Sequence, residues 1–118
     1  MKKILVVDDE EPIRILYKEE LEDEGYEVEL AGSGPEALEK LNRSKPDLVT
    51  LDLKMPGMGG LEVLSKIREL DTKLPVIICT AYGDYRRDLT SWASDAYVVK
   101  SSDMSELKDT IRAFLDKQ

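Results

Sequence analysis

Short apolar runs alternate with longer segments of helical period along the whole chain. Ile4 to Val7 is continuous and mostly β-branched, as a strand buried on both faces requires. Asp8-Asp9-Glu10-Glu11 ends that run, and Pro12 suits the first turn of a helix. Ile13, Leu16, Tyr17 and Leu21 then recur at helical spacing as far as Gly25, a residue that favours a helix stop. Glu27 to Ala31 alternates, with Val28 and Leu30 on one face, the pattern of a strand nearer a sheet edge. Gly32-Ser33-Gly34-Pro35 reads as a turn and helix start, and Ala37, Leu38 and Leu41 give that helix one apolar face. Past Pro46, Leu48 to Leu51 is a third strand that stops at Asp52 and runs into Pro56 and Gly57. Gly57 to Gly60 reads as loop, and Val63, Leu64, Ile67 and Leu70 form the stripe of a third helix. After Pro75 comes a fourth strand, Val76 to Cys79, ending at Thr80. Asp84 is placed to cap a fourth helix carrying Tyr85, Leu89 and Trp92. Ala96 to Val99 is a fifth strand, ending at Lys100. Asp103 and Glu106 have the spacing of a capping box, opening a last helix with Leu107, Ile111, Phe114 and Leu115 turned inward.

Five strands alternating with five helices predict an α/β domain with a parallel sheet covered on both faces. The 118 residues suffice for one domain with one core, spanning 1–118, without linker or repeat. A formal net charge of −8 argues against direct nucleic-acid binding. The absence of histidine removes imidazole catalysis and histidine metal sites, and the lone Cys79 reads as a small buried strand residue. No apolar run approaches the roughly 20 residues of a membrane span. The start, Met1-Lys2-Lys3-Ile4, leads straight into a strand without a signal peptide, so a cytoplasmic protein that does not engage a membrane is expected.

In open sheets of this kind the ligand site lies outside the carboxyl ends of the strands. There the sequence places Asp8 and Asp9 after the first strand, Asp52 after the third, Thr80 after the fourth and Lys100 after the fifth. In the order 2-1-3-4-5 the first and third strands are neighbours, so three carboxylates meet at one crevice. A buried carboxylate is costly without a partner. One divalent cation and the Lys100 ammonium together balance the three negative charges. All-oxygen ligands with room for water and phosphate favour Mg²⁺ over Ca²⁺. A carboxylate beside Mg²⁺ and a lysine is a competent nucleophile toward a phosphoryl group, because both cations neutralise charge on the transferring oxygens. The residues therefore predict Mg²⁺-dependent phosphorylation of Asp52, with a hydrogen bond from the Thr80 hydroxyl to the product.

Four motifs in order carry a family resemblance: Val6-Val7-Asp8-Asp9, Leu51-Asp52-Leu53-Lys54-Met55-Pro56-Gly57, Cys79-Thr80-Ala81 and Tyr97-Val98-Val99-Lys100. Over essentially its whole length the chain resembles the receiver domain of bacterial two-component response regulators. The resemblance implies a flavodoxin-like (CheY-like) doubly wound fold of five parallel strands and five helices. It implies that Asp52 takes a phosphoryl group from a phosphohistidine on a sensor histidine kinase or a histidine phosphotransfer protein. Asp8, Asp9, Asp52 and the backbone carbonyl of Lys54 would hold Mg²⁺, and Thr80 and Lys100 would contact the phosphoryl oxygens. Thr80 and Tyr97 would act as the switch. They would alter the face built from the fourth and last helices and the fifth strand, which controls a downstream protein or a fused output domain. A phosphorylation-dependent dimer is compatible with this. Such a domain is no enzyme toward an external substrate: it catalyses only its own phosphorylation and slow dephosphorylation. Lys54 and Tyr82, two positions after Asp52 and Thr80, stand where residues that tune the second rate are found.

Singly these residues have plainer readings: acidic residues favour a helix start, and Thr80, Lys100 and Tyr97 suit ordinary strand ends and strands. Jointly, at successive strand ends, they point to one site. Ser101 stands where many receivers have proline after the lysine, so a trans Lys100–Ser101 bond, or a strained cis one, is expected. Gly59 replaces a common Asp or Asn. A phosphohydrolase with an Asp nucleophile would need an acid/base carboxylate where Lys54 stands. A flavodoxin-like cofactor binder would need a phosphate loop where Asp8-Asp9-Glu10-Glu11 would repel phosphate, and no GxGxxG or Walker pattern is present. A degenerate, phosphorylation-independent receiver is opposed by the intact Asp8, Asp9, Asp52, Thr80 and Lys100.

Overall fold

The computed structural model describes residues 1–81, 95–100 and 103–116. Five strands, β1 (Lys3–Val7), β2 (Glu27–Ala31), β3 (Leu48–Leu51), β4 (Val76–Thr80) and β5 (Ala96–Val99), form one sheet. Its order is β2-β1-β3-β4-β5 and every pairing is parallel. Four helices are present among the described residues: α1 (Glu11–Asp23), α2 (Gly34–Ser44), α3 (Gly60–Leu70) and α4 (Ser105–Leu115). The further helix expected around Asp84, Tyr85, Leu89 and Trp92 lies outside the described residues, so the structure carries four of the five expected helices. Tyr82 and the Lys100–Ser101 bond also fall outside them.

The strands that read as continuous apolar runs are those covered on both faces. All four residues of β3 are buried, and Ile4 to Val7 of β1 are no more than 1% exposed. Alternate residues feed two separate cores. Leu5, Val7, Val49, Leu51, Val76, Ile78 and Tyr97 pack on one face with Ala37, Leu41, Val63, Leu64 and Ile67 of α2 and α3. Ile4, Val6, Leu48, Ile77, Cys79 and Val98 pack on the other with Tyr17 and Leu21 of α1 and Leu107, Ile111 and Leu115 of α4. Each fully buried aliphatic side chain contributes about 1.5–3 kcal/mol, so the two cores make the sheet a rigid platform. β2 is the edge strand its alternating pattern implied: Val28 is buried but Glu27 is exposed.

Local expectations changed at four places. Leu70, expected on the apolar stripe of α3, is 57% exposed, because the helix ends there and its buried face stops at Ile67. Leu16 is 37% exposed, because the inward stripe of α1 runs through Tyr17 and Leu21. Gly60 is the first residue of α3 rather than loop. The capping box at Asp103 and Glu106 does not form. Met104 is the N-cap of α4 without a side-chain cap, and the Asp103 carboxylate instead accepts from the Ser105 N–H at 2.9 Å. Met104 is buried among the α1 and α4 side chains, so packing sets this helix start one residue later than the capping signal.

A polar knot fixes the amino ends of β4 and β5. Asp95 Oδ2 accepts from the Val76 N–H at 2.8 Å and pairs with Arg68 at 2.7 Å. Arg68 also donates to the Leu74 carbonyl at 2.6 Å. This knot pins β5 beside β4, so that Val99 stands opposite Thr80 and Lys100 leaves the sheet at its carboxyl edge.

Candidate functional site

Strand register alone brings Asp8 and Asp52 together. Val7 lies opposite Leu51, so the next residue of each strand emerges side by side. The Asp52 N–H donates to the Val7 carbonyl at 3.0 Å, and the Asp8 N–H donates to the Ala31 carbonyl at 3.1 Å. Both carboxylates are buried, Asp8 at 2% exposed and Asp52 at 5%. Lys100 leaves β5, two strands from β3, and its side chain crosses the end of β4. Its Nζ reaches Asp8 Oδ2 at 2.6 Å and Asp52 Oδ2 at 3.4 Å.

Burial pushes the Asp52 carboxyl above its ordinary range. The Lys100 ammonium and the Lys54 N–H act against that push, while the Asp8 charge adds to it. Burial also works against the charge on Lys100. There the hydrogen bond and charge of Asp8, with those of Asp52, prevail and hold the ammonium above its usual value. The lysine is thus shared between two buried acids.

Asp8, Asp9 and Glu10 bring one carboxylate oxygen each to within 4.8 Å of one another. These are hard oxygen donors on a loop that is buried at Asp8 and open to solvent at Glu10, and they fit a small divalent cation. Asp52, held by Lys100, is not one of that trio. Glu10, the N-cap residue of α1, was not among the candidate ligands, and nothing in its sequence position separates it from Glu11.

The backbone at Asp52 depends on Gly60. A Cβ there would lie 2.3 Å from the Asp52 carbonyl oxygen and 2.6 Å from Leu53 Cα, closer than atoms can approach. The Gly60 N–H donates to the Leu53 carbonyl at 3.0 Å, stitching the start of α3 to the segment that carries Asp52. In the sequence Gly60 was one glycine among several in the loop after Pro56, and only packing singles it out.

Thr80 closes β4 with its Cα opposite Val99, and the expected role of its hydroxyl lies outside what is described. Tyr97 is buried on the α2–α3 face of the sheet. Beneath the site on the other face, the Tyr17 hydroxyl and Cys79 Sγ form a buried hydrogen bond at 2.9 Å, linking α1 to β4. The sequence suggested burial for both residues but not their contact.

The sequence matches the family model of the response regulator receiver domain over residues 4–112. The chain belongs to that family. Sporulation initiation phosphotransferase F of Bacillus subtilis is 39% identical to this receiver over 116 residues, covering 97% of this chain and 94% of that protein. Alkaline phosphatase synthesis transcriptional regulatory protein PhoP, also from Bacillus subtilis, is 37% identical over 116 residues, and the match covers 48% of it. The receiver thus spans about half the length of PhoP and of the other transcriptional regulators it matches. Among solved structures, response regulator TrrA of Thermotoga maritima, in complex with Mg²⁺-BeF, superposes with a TM-score of 0.93 at 53% identity, covering 98% of this chain and 100% of that one. The complex of histidine kinase ThkA with TrrA matches at a TM-score of 0.90 and 52% identity, covering 98% of this chain and 99% of that one.

Proposed function

We propose that this receiver is a phosphorylation-activated signalling switch with Asp52 as its phosphoacceptor. The observation that carries the reading is the buried Asp52 carboxylate, shared with Asp8 through one lysine ammonium at the carboxyl edge of the sheet. In the proposed step an Asp52 carboxylate oxygen attacks the phosphorus of a phosphohistidine on a sensor histidine kinase or a histidine phosphotransfer protein. The phosphorus–nitrogen bond breaks, the imidazole leaves with its electron pair and takes up a proton, and Asp52 becomes an acyl phosphate. Lys100 neutralises charge on the transferring oxygens, and Thr80 supplies a hydroxyl hydrogen bond to the product.

Asp8, Asp9 and the Lys54 backbone carbonyl, with Asp52 itself, are the proposed Mg²⁺ ligands. Bound Mg²⁺ supplies further charge neutralisation of the phosphoryl oxygens. The Mg²⁺-BeF complex of TrrA supports the use of Mg²⁺, and the complex of TrrA with histidine kinase ThkA supports such a phosphoryl donor, TrrA being about half identical to this chain. Water attack on the acyl phosphate, with the same residues in place, returns the free carboxylate, so the domain turns over only its own phosphoryl group. Thr80 and Tyr97 form the proposed switch. The phosphoryl group shifts the domain only as far as it interacts differently with the two states.

We take residues 1–118 as a single receiver domain that acts on a downstream protein or a fused output domain. No described helix is long and apolar enough to cross a membrane, which agrees with a cytoplasmic site of action.

The test is intact mass after incubation with acetyl phosphate, with Mg²⁺ and with EDTA, beside Asp52→Asn. A labile adduct of one phosphoryl group that requires both Mg²⁺ and Asp52 is expected. Label retained by Asp52→Asn would remove Asp52 from its role. Failure with both acetyl phosphate and a phosphohistidine donor would leave a phosphorylation-independent binding domain.

A further inference from the structure

Every polar atom of Asp8 is held. Its N–H donates to the Ala31 carbonyl at 3.1 Å, its Oδ1 accepts from the Glu10 N–H at 2.9 Å, and its Oδ2 faces Lys100 at 2.6 Å. Its carbonyl accepts from the Arg14 guanidinium at 2.7 Å. Arg14 lies one turn inside α1, and its own N–H donates to the Glu10 carbonyl at 3.1 Å. Arg14 therefore grips the Asp8–Glu10 loop at both ends, by its side chain and its backbone.

The seat of this guanidinium is built by the neighbouring loop. A Cβ on Gly32 would lie 3.1 Å from the Arg14 guanidinium nitrogen and 3.3 Å from its central carbon. Gly32 thus leaves the space the guanidinium occupies. The Gly32 N–H donates to Glu36 Oε1 at 2.8 Å. Glu36 is held below the usual carboxylate range by that hydrogen bond first, then by Lys40, with the Arg14 charge adding to both. The loop after β1 and the loop after β2 are in this way joined through Arg14.

We infer that Arg14 is a positioning residue for divalent-cation binding: it touches no ligand but fixes the Asp8–Glu10 loop so that its carboxylates stay gathered. The inference rests on the reading of Asp8 and Asp9 as Mg²⁺ ligands. Its physical signature is one of sign. Arg14 is a cation near a cation site, so electrostatics alone requires that its removal tighten Mg²⁺ binding. Positioning requires the reverse, because three carboxylates that repel one another spread once the Asp8 carbonyl loses its donor. Outer partners of metal ligands carry about tenfold or more in affinity.

The experiment is calorimetric titration of the whole chain with Mg²⁺ alone, comparing the unaltered protein, Arg14→Met, Arg14→Lys and Lys18→Ala. Arg14→Met keeps the apolar stem and loses the donor. Arg14→Lys keeps a charge and a donor. Lys18→Ala removes an exposed α1 charge that is paired with Glu22. The expected result is Mg²⁺ affinity weakened about tenfold in Arg14→Met, restored in large part in Arg14→Lys and unchanged in Lys18→Ala. Amide exchange at Glu10 should also quicken in metal-free Arg14→Met. Unchanged or tighter binding by Arg14→Met overturns the inference, whatever its unfolding temperature. Absence of Mg²⁺ binding by the unaltered protein instead overturns the metal assignment on which the inference rests.

Discussion

Lys100 Nζ stands 2.6 Å from Asp8 Oδ2, closer than its 3.4 Å approach to Asp52. The lysine's closer partner is therefore the proposed metal ligand and not the proposed phosphoacceptor. A cation held by Asp8 would compete for that oxygen and would free the ammonium for Asp52, where a phosphoryl group would need it. Lys100→Ala leaves two buried carboxylates without their shared counter-charge. Breaking a buried pair from one side costs about 3–5 kcal/mol, so the metal-free variant should unfold well below the unaltered protein. Mg²⁺ should recover more stability in the variant than in the unaltered chain, because only there does no ammonium compete with it for the Asp8 carboxylate. Chemical denaturation with and without Mg²⁺ checks both. Equal stabilisation of the two proteins would show that metal and lysine do not share Asp8.

Asp52→Asn should stabilise the metal-free protein at neutral pH. The Asp52 carboxyl is raised above its ordinary value, chiefly by burial, so the folded state holds its proton more tightly than the unfolded state. The stability cost of ionising it is therefore absent at pH below the ordinary carboxylate range. It grows as pH rises from that range to the raised value and persists above it. Asparagine carries no such cost. Thermal unfolding in EDTA should show variant and parent converging in acid and separating toward neutral pH, with the variant more stable. A variant less stable than its parent at neutral pH would mean that the Lys100 contact outweighs the burial of the charge.

Gly60→Ala should damage the site through the backbone. The added Cβ meets the Asp52 carbonyl and Leu53 Cα, neither of which is a flexible side-chain end. Overpacking of this kind costs about 1–3 kcal/mol. The start of α3 and the Asp52 segment must separate, so phosphorylation by acetyl phosphate should fall alongside stability. Gly59→Ala is the control. Its Cβ would have only the Leu53 carbonyl within reach, at 3.8 Å, an ordinary contact, and it should be nearly silent.

The sheet was legible in the sequence because its signal is local. Short apolar runs ending in an acid, a threonine or a lysine marked four strands and the alternation of Glu27 to Ala31 marked the fifth; in the order β2-β1-β3-β4-β5 Asp8 then meets Asp52. The gathering of Asp8, Asp52 and Lys100 at one edge was legible because polar groups at buried strand ends have few structural reasons to be there. What was not legible depends on side chains from separate elements. Arg14 reaching the Asp8 carbonyl, Gly60 against the Asp52 backbone and Tyr17 meeting Cys79 across 62 positions leave no periodic trace. The Asp103–Glu106 capping signal was legible and misleading. Burial of Met104 fixed the helix start, and a cap worth about 1 kcal/mol yields to that.

Cys79 should be inert toward thiol reagents in the native protein despite lying one residue from Thr80. It is 3% exposed, and burial pushes its thiol up to about 11, with the Tyr17 hydroxyl pulling weakly the other way. Since the thiolate is the reactive form, labelling at neutral pH should be limited by opening of the fold and should quicken as pH approaches that value. Tyr17→Phe removes the hydroxyl that joins α1 to β4 and should cost about 1 kcal/mol, the net worth of one hydrogen bond. Labelling in the variant should then rise by the factor its lost stability predicts, about fivefold. Native-state labelling kinetics over a pH series, run beside denaturation of both proteins, provide the measurement. Rapid labelling of the folded parent at neutral pH would contradict the buried Tyr17–Cys79 contact itself.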